Sequence, residues 1–207
     1  MGFGAAWVLS PYIAWAISRP FQGKSRAISG QGRRYLSQLC RKTWAYFEDT
    51  LTEENHFLPP ADVQLSPYRG QAQRTSPTNI GLALVSLLLA YRMGYVTKLR
   101  FTHLLCAMLD TIARLPKWNG HLYNWYSTRD CSLLPPAYVS TVDSGNLAGD
   151  LYAVRQALPQ VMDEPFFANP LSDGLAVTAS LCGLSLPQGP VQSVTPQLIS
   201  QLGSAGA

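Results

Sequence analysis

The sequence predicts an all-α protein whose helical hairpins form part of a toroid, and three observations carry that prediction. The run NIGLALVSLLLAYRM, residues 79–93, is apolar nearly all round, the mark of a helix enclosed by other helices or by lipid. Ser76 and Pro77 precede it and Gly94 follows it: a side-chain cap, a proline at the first helical position and a glycine able to turn left-handed confine it to an inner-helix length. After a short turn, Thr97 can cap a second helix through residues 98–115, stopped by Pro116. Long polar loops alternate with such short turns, as in helical-hairpin toroids, where the loops at one end carry the site.

Composition narrows the class. With 207 residues, 47% hydrophobic and 14% charged, the chain has the makings of a core and is not a disordered polypeptide. The net charge of +4 is modest, and its excess is local, in Arg19, Lys24, Arg26, Arg33, Arg34, Arg41 and Lys42. A basic run behind an apolar segment suits a cytoplasmic membrane flank better than a nucleic-acid groove; a solvated face is the alternative. Cys40, Cys106, Cys131 and Cys182 form no CxxC pair, and His56, His103 and His121 lie far apart. Reduced thiols and no metal site are expected.

Taken in order, residues 1–18 form an uncharged apolar helix, marginal for a bilayer span and interrupted by Pro11. Residues 19–32, rich in Gly, Ser and basic side chains, read as a linker, and residues 33–207 as the helical body. A helix over residues 33–51 should bury Leu36, Leu39, Cys40, Thr43, Trp44 and Phe47, which recur at three- and four-residue steps. Residues 52–74, with Pro59, Pro60 and Pro67, read as a long loop. Beyond the central hairpin come an irregular loop with short extended pieces over 115–143, a helix over 144–158, and weaker helices over 169–184 and 195–202.

Three segments at loops or helix starts carry side chains suited to a polar ligand: QRTSPTNIG (73–81), GHLYNWYSTRD (120–130) and YVSTVDSGNLAG (138–149). Trp118, Tyr123, Trp125, Tyr126 and Tyr138 offer flat rings of the kind that stack on sugars, or else fill the core beneath the loop. Asp143 or Ser144 would cap the following helix, and Gly145 and Gly149 would admit close backbone approach. Capping leaves Asn146 unexplained. Glycoside chemistry needs two carboxyl groups ~5–9.5 Å apart; Glu53, Glu54, Asp62, Asp130 and Asp143 are the loop candidates, and spacing assigns no pair among them.

Taken together, RTSPTNIGL, GHLYNWYSTR and LPPAYVSTVDSGNLAG resemble the cyclic β-1,2-glucan synthase family of large bacterial membrane enzymes. WVLSPYIAWAISRP is similar to the end of that family's last membrane segment. YLSQLCRKTWAYFEDTLTEENHFLPPADVQ is similar to the start of its middle, glucoamylase-like (α/α)6 domain. The resemblance runs from about Trp7 to Leu158 and implies a fragment: a full ring has about twelve helices, whereas six or seven are predicted here. It also implies UDP-glucose as donor, β-1,2-glucan as ligand, the remainder of the synthase as partner, and a place on the cytoplasmic side of the bacterial inner membrane. The nucleotide-sugar site would precede residue 1 and the catalytic acids would follow residue 207, so no catalytic residue is assigned and no cofactor is expected in this stretch. The motif positions Arg74, Thr75, Ser76, Thr78, Asn79, Asn124, Trp125, Tyr126, Asp143, Ser144 and Asn146 are implied to line or brace a sugar cleft. Ser127 stands where the family pattern leads us to expect aspartate, so one polar anchor is in doubt. Two other readings remain open: a non-catalytic helical module that binds a partner or a membrane surface, and an inactive truncated product.

Overall fold

The computed structural model describes residues 2–19, 27–165 and 170–184; the helix expected over 195–202 lies outside them. The chain divides into two compact units, Met1–Arg33 and Arg34–Ala207. In the first, α1 (Gly2–Ile17) continues through Pro11 and leaves Trp7, Val8, Tyr12 and Trp15 exposed, with the Arg19 guanidinium 3.8 Å from the Trp15 ring centre. No described helix is long and apolar enough to cross a membrane.

The helix α2 (Gly30–Thr50) begins three residues before the expected position, because the Ser29 hydroxyl accepts from the Gly32 amide and caps it. Its predicted buried stripe holds only toward the carboxy-terminal end. Trp44 is buried and Phe47 half-buried, but Leu36, Leu39, Cys40 and Thr43 are exposed. The expected loop over 52–74 contains a hairpin, β1 (Val63–Leu65) and β2 (Tyr68–Gln71), followed by β3 (Arg74–Thr75). Pro67 in its turn and Gly70 within β2 at φ 74° are the available signals, but three- and four-residue strands are too short for a clear period.

The central hairpin follows the stereochemistry of its ends. Ser76 caps α3 (Pro77–Arg92) by accepting from the Asn79 amide, and Gly94 at φ 74° closes it, with Tyr95 N–H donating to the Ala90 carbonyl. Thr97 caps α4 (Lys98–Arg114) through the Arg100 amide. At the far end of α4, the Lys117 ammonium donates to the Ile112, Ala113 and Leu115 carbonyls, groups that a helix terminus leaves unpaired. Short strands β4 (Lys117–Trp118), β5 (His121–Leu122) and β6 (Tyr126–Ser127) occupy the next loop.

Helix α5 (Thr141–Asp163) departs from expectation at both ends. Ser140 is its cap, accepting from the Asp143 amide, so Asp143 and Ser144 lie inside the first turn and cap nothing. The helix also continues past Pro159, and its end is fastened by Glu164, which accepts from Tyr91 and pairs with Arg92. Burial and that hydrogen bond push the Tyr91 hydroxyl up to about 12. Gly145 and Gly149 do not mark a close approach: a Cβ on either would meet open space. The close approach is at Gly81, where a Cβ would collide with the Asp150 carboxylate.

These pairings set the direction of the helices. Thr78 meets Asp143 and Asn146, Gly81 meets Asp150, and Tyr91 and Arg92 meet Glu164, so α3 and α5 lie side by side and parallel. Leu84, Leu87, Phe101, Leu104, Met108, Leu147 and Val154 form a shared core with α4. Helix α6 (Pro170–Leu181) lies against the α3–α4 turn through Gly174, and against α2, where Arg41 and Gln38 donate to Thr178 and Ser180. Parallel inner helices joined through antiparallel outer ones are the repeating step of an α/α toroid, and the helices of the second unit form part of such a ring.

Burial raises the Asp150 carboxyl above its ordinary value. A carboxyl raised in this way holds a proton in the folded chain that the unfolded chain releases, so it costs stability above the folded pKa, and the cost fades as pH falls through that value. Asp150→Asn is therefore expected to raise Tm at pH 7 and to give no gain below the ordinary carboxylate value of 3.8. Thermal melts across that range check it.

Candidate functional site

The polar loops converge at the end of the ring where α3 and α5 begin. Strands β3 and β6 pair antiparallel, Arg74 opposite Ser127 and Thr75 opposite Tyr126, which sets the first motif segment against the second. The third joins them through Asp143. Its Oδ1 accepts from the Thr78 hydroxyl at 2.5 Å. With the Asn124 amide turned to satisfy its neighbours, Asn124 donates to Asp143 Oδ2 at 3.2 Å, while its oxygen accepts from the Tyr138 hydroxyl at 2.7 Å and from the Trp125 indole N–H. Asn146 Nδ2 donates to Thr78 Oγ1 at 3.2 Å. One carboxylate thus ties together two helix starts and a loop.

The eleven motif positions divide by what their side chains touch. Thr78 and Asn124 both donate to Asp143. Thr75 and Tyr126 are buried beneath the junction, and the Tyr126 hydroxyl holds the loop by donating to Pro116 O and accepting from the Tyr123 amide. Burial raises that hydroxyl's pKa. Ser76 is used as the α3 cap, and the Asn79 amide is its donor. The Ser144 hydroxyl is buried without a hydrogen-bond partner, as is that of Thr75. Open to a ligand are Arg74, whose guanidinium lies 4.6 Å from the half-buried Trp125 ring, and the exposed Asn146. The exposed ring of Tyr138 adjoins them through Asn124.

Of the loop aromatics, Tyr126 fills core, while Trp118 and Tyr138 are exposed. Of the loop carboxylates, Glu53, Glu54, Asp62 and Asp130 are exposed and Asp143 is engaged in the junction. Ser127 occupies a β6 position, and hydrogen bonding from it and then from Ser132 draws the Asp130 carboxyl down to about 2. Among the described residues no group of three His, Cys, Asp or Glu is placed to hold a metal ion. The arrangement can hold hydroxyl groups and a ring face: an amide, a guanidinium and an indole stand over a rigid floor.

A helical ring with its polar loops gathered over the starts of the inner helices defines a glucoamylase-like toroid. The chain superposes on a crystal structure of a Bacteroides fragilis NCTC 9343 protein, provisionally described as a glucoamylase, with a TM-score of 0.53 and 16% identity, covering 75% of this chain and 36% of that one. At that identity the likeness is one of fold. In sequence the chain is 40% identical, over 164 residues, to the cyclic β-(1,2)-glucan synthase NdvB of Rhizobium meliloti (strain 1021), a match covering 79% of this chain and 6% of the synthase. The chain is therefore a relative of the cyclic β-1,2-glucan synthases, as its motifs indicate, and spans a small part of the length of the relative it matches. No protein-family model matches it.

Proposed function

We propose that the chain forms the first half of the helical domain in which a cyclic β-1,2-glucan synthase transglycosylates and cyclises β-1,2-glucan. The Asp143 junction carries this reading, because it fixes three separate polar segments at one end of the ring and leaves Arg74, Trp125 and Asn146 available to a sugar. In the complete protein the donor would be UDP-glucose and the chemistry would lie on the cytoplasmic side of the inner membrane, with nucleic acid playing no part. The remainder of the synthase would close the ring. An apolar groove of about 210 Å³ between α2 and α3, lined by Leu39, Trp44, Leu89, Met93 and Tyr95, supports that closure. Trp44 Nε1, buried there, has no hydrogen-bond partner.

The 207-residue chain on its own is expected to bind linear β-1,2-glucan without elongating or cyclising it. Trp125→Ala should weaken binding about tenfold, or roughly 1.4 kcal/mol, and Trp125→Phe, which keeps a ring face, should retain most of it. NMR titration with the glucan checks both. Absence of binding by the unmodified chain would overturn the proposal. The exposed apolar surface of α1 favours a second reading, a membrane-surface module. Flotation with anionic vesicles, together with no response to glucan, would support that one instead.

A further inference from the structure

Outside the motif junction, a cavity of about 370 Å³ opens between the end of α2, the turn after it, β2 and the loop following β6, lined among others by Asp49, Glu54, Asn55, Gln71, Gln73 and Arg129. Its amides are held in place by the protein. Asn55, 6% exposed, donates to the Thr50 carbonyl at 2.9 Å and to Gln71 Oε1 at 3.0 Å. Gln73 Oε1 accepts from the buried Thr128 hydroxyl at 3.1 Å. Both glutamine oxygens are thereby used within the protein. Among the described residues neither glutamine NH₂ group has a hydrogen-bond acceptor, and the Arg129 guanidinium makes no ion pair with Asp49 or Glu54, although all three line one cavity.

Opposite charges around a shared space, unpaired and interleaved with fixed amide donors, suit a ligand that both donates and accepts at closely spaced positions. Vicinal hydroxyl groups do this: each can donate to a carboxylate and accept from a guanidinium or an amide. Two carboxylates disfavour an anion, and Arg129 with two amide donors disfavours a simple cation. The volume lies within the range of small-molecule pockets. The cavity also adjoins the junction, because Thr128 N–H donates to the Gln73 carbonyl at 3.3 Å and so extends the β3–β6 pairing beyond Arg74.

We propose that this cavity is a second sugar-binding position, taking one glucosyl unit of a glucan strand whose neighbouring units contact Trp125. The inference rests on the cleft reading above and extends it along the strand. Its test uses the 207-residue chain and two probes, a β-1,2-linked glucose disaccharide and the corresponding hexasaccharide, titrated by NMR. Arg129 is exposed, and among the described residues its protein hydrogen bonds are made by backbone alone, its N–H donating to Ser127 Oγ at 3.3 Å and its carbonyl accepting from His56 Nε2 at 2.8 Å, so Arg129→Ala is expected to leave the fold intact. Loss of a charged hydrogen bond should weaken hexasaccharide binding about tenfold while leaving the disaccharide unchanged. Glu54→Ala, also on an exposed side chain, should show the same length dependence. Unchanged hexasaccharide affinity in both variants, or an equal loss for both probes, would overturn the second position. If Trp125→Ala still weakens both probes in that case, the cleft reading stands; if the unmodified chain binds neither probe, both fall.

Discussion

Asp143→Ala is expected to destabilise the chain by about 3 kcal/mol, since hydrogen bonds to a charged group contribute about 1.5–3 kcal/mol each and Asp143 accepts from both Thr78 and Asn124. The loss has two parts. The bonds disappear, and the half-buried Thr78 and buried Asn124 lose a charged acceptor. Asn146→Ala is the informative contrast. Its side chain is exposed and gives one bond to Thr78, so it should cost less than about 1 kcal/mol. In a complete synthase, however, it should reduce glucan handling well beyond that loss of stability. Chemical denaturation of the two variants, set beside glucan binding, separates the brace from the contact. An Asn146 variant with unaltered binding would make the whole junction structural.

Gly174→Ala should detach α6. A methyl group there would collide with the Gly94 carbonyl and lie 2.9 Å from the Met93 carbonyl oxygen. Both are backbone in the α3–α4 turn, where Gly94 holds a positive φ, so neither can swing aside as a side chain would. Overpacking of this kind costs about 1–3 kcal/mol, set against contacts that include the bonds from Arg41 and Gln38 to α6. Hydrogen exchange should show α6 losing its protection while α3, α4 and α5 keep theirs. Gly149→Ala, in open space within α5, serves as the control and should leave the chain slightly more stable. Retention of α6 protection in Gly174→Ala would mean that the turn can yield.

Features governed by local stereochemistry were legible in the sequence. Ser76–Pro77, Gly94 and Thr97 each act on backbone within a few residues, and the helices they bound occur where expected. The start of α5 is not legible from local residues, because serine, threonine and aspartate crowd that stretch and all are good caps. Only the tertiary bond from Thr78 shows that Asp143 is otherwise engaged and that Ser140 is left to cap. Four of the six residues in the predicted stripe of α2 are exposed for the opposite reason: periodicity reports a face fit for burial, without saying whether the covering surface belongs to the same stretch of chain. Resemblance supplied the grouping of the three motif segments, and spacing did not. The polar cavity had weaker signals still. Gln71 and Gln73 stand two apart in an extended stretch, but Asp49, Asn55 and Arg129 come from elsewhere, and only the fold brings them together.

The span of the Asp143 junction bears on the order in which the chain assembles. Helices α3 and α4 meet across a short turn, so their packing needs little loop closure and can form early. The Thr78–Asp143 bond joins positions 65 residues apart, and closing such a loop is the slower event because its entropy is lost before any contact offsets it. The polar end of the ring should accordingly organise last, on helices already packed beneath it. A substitution at Thr78 or Asp143 would then speed unfolding more than it slows folding, and the polar surface built from the three motif segments would be the first part to open and the last to close.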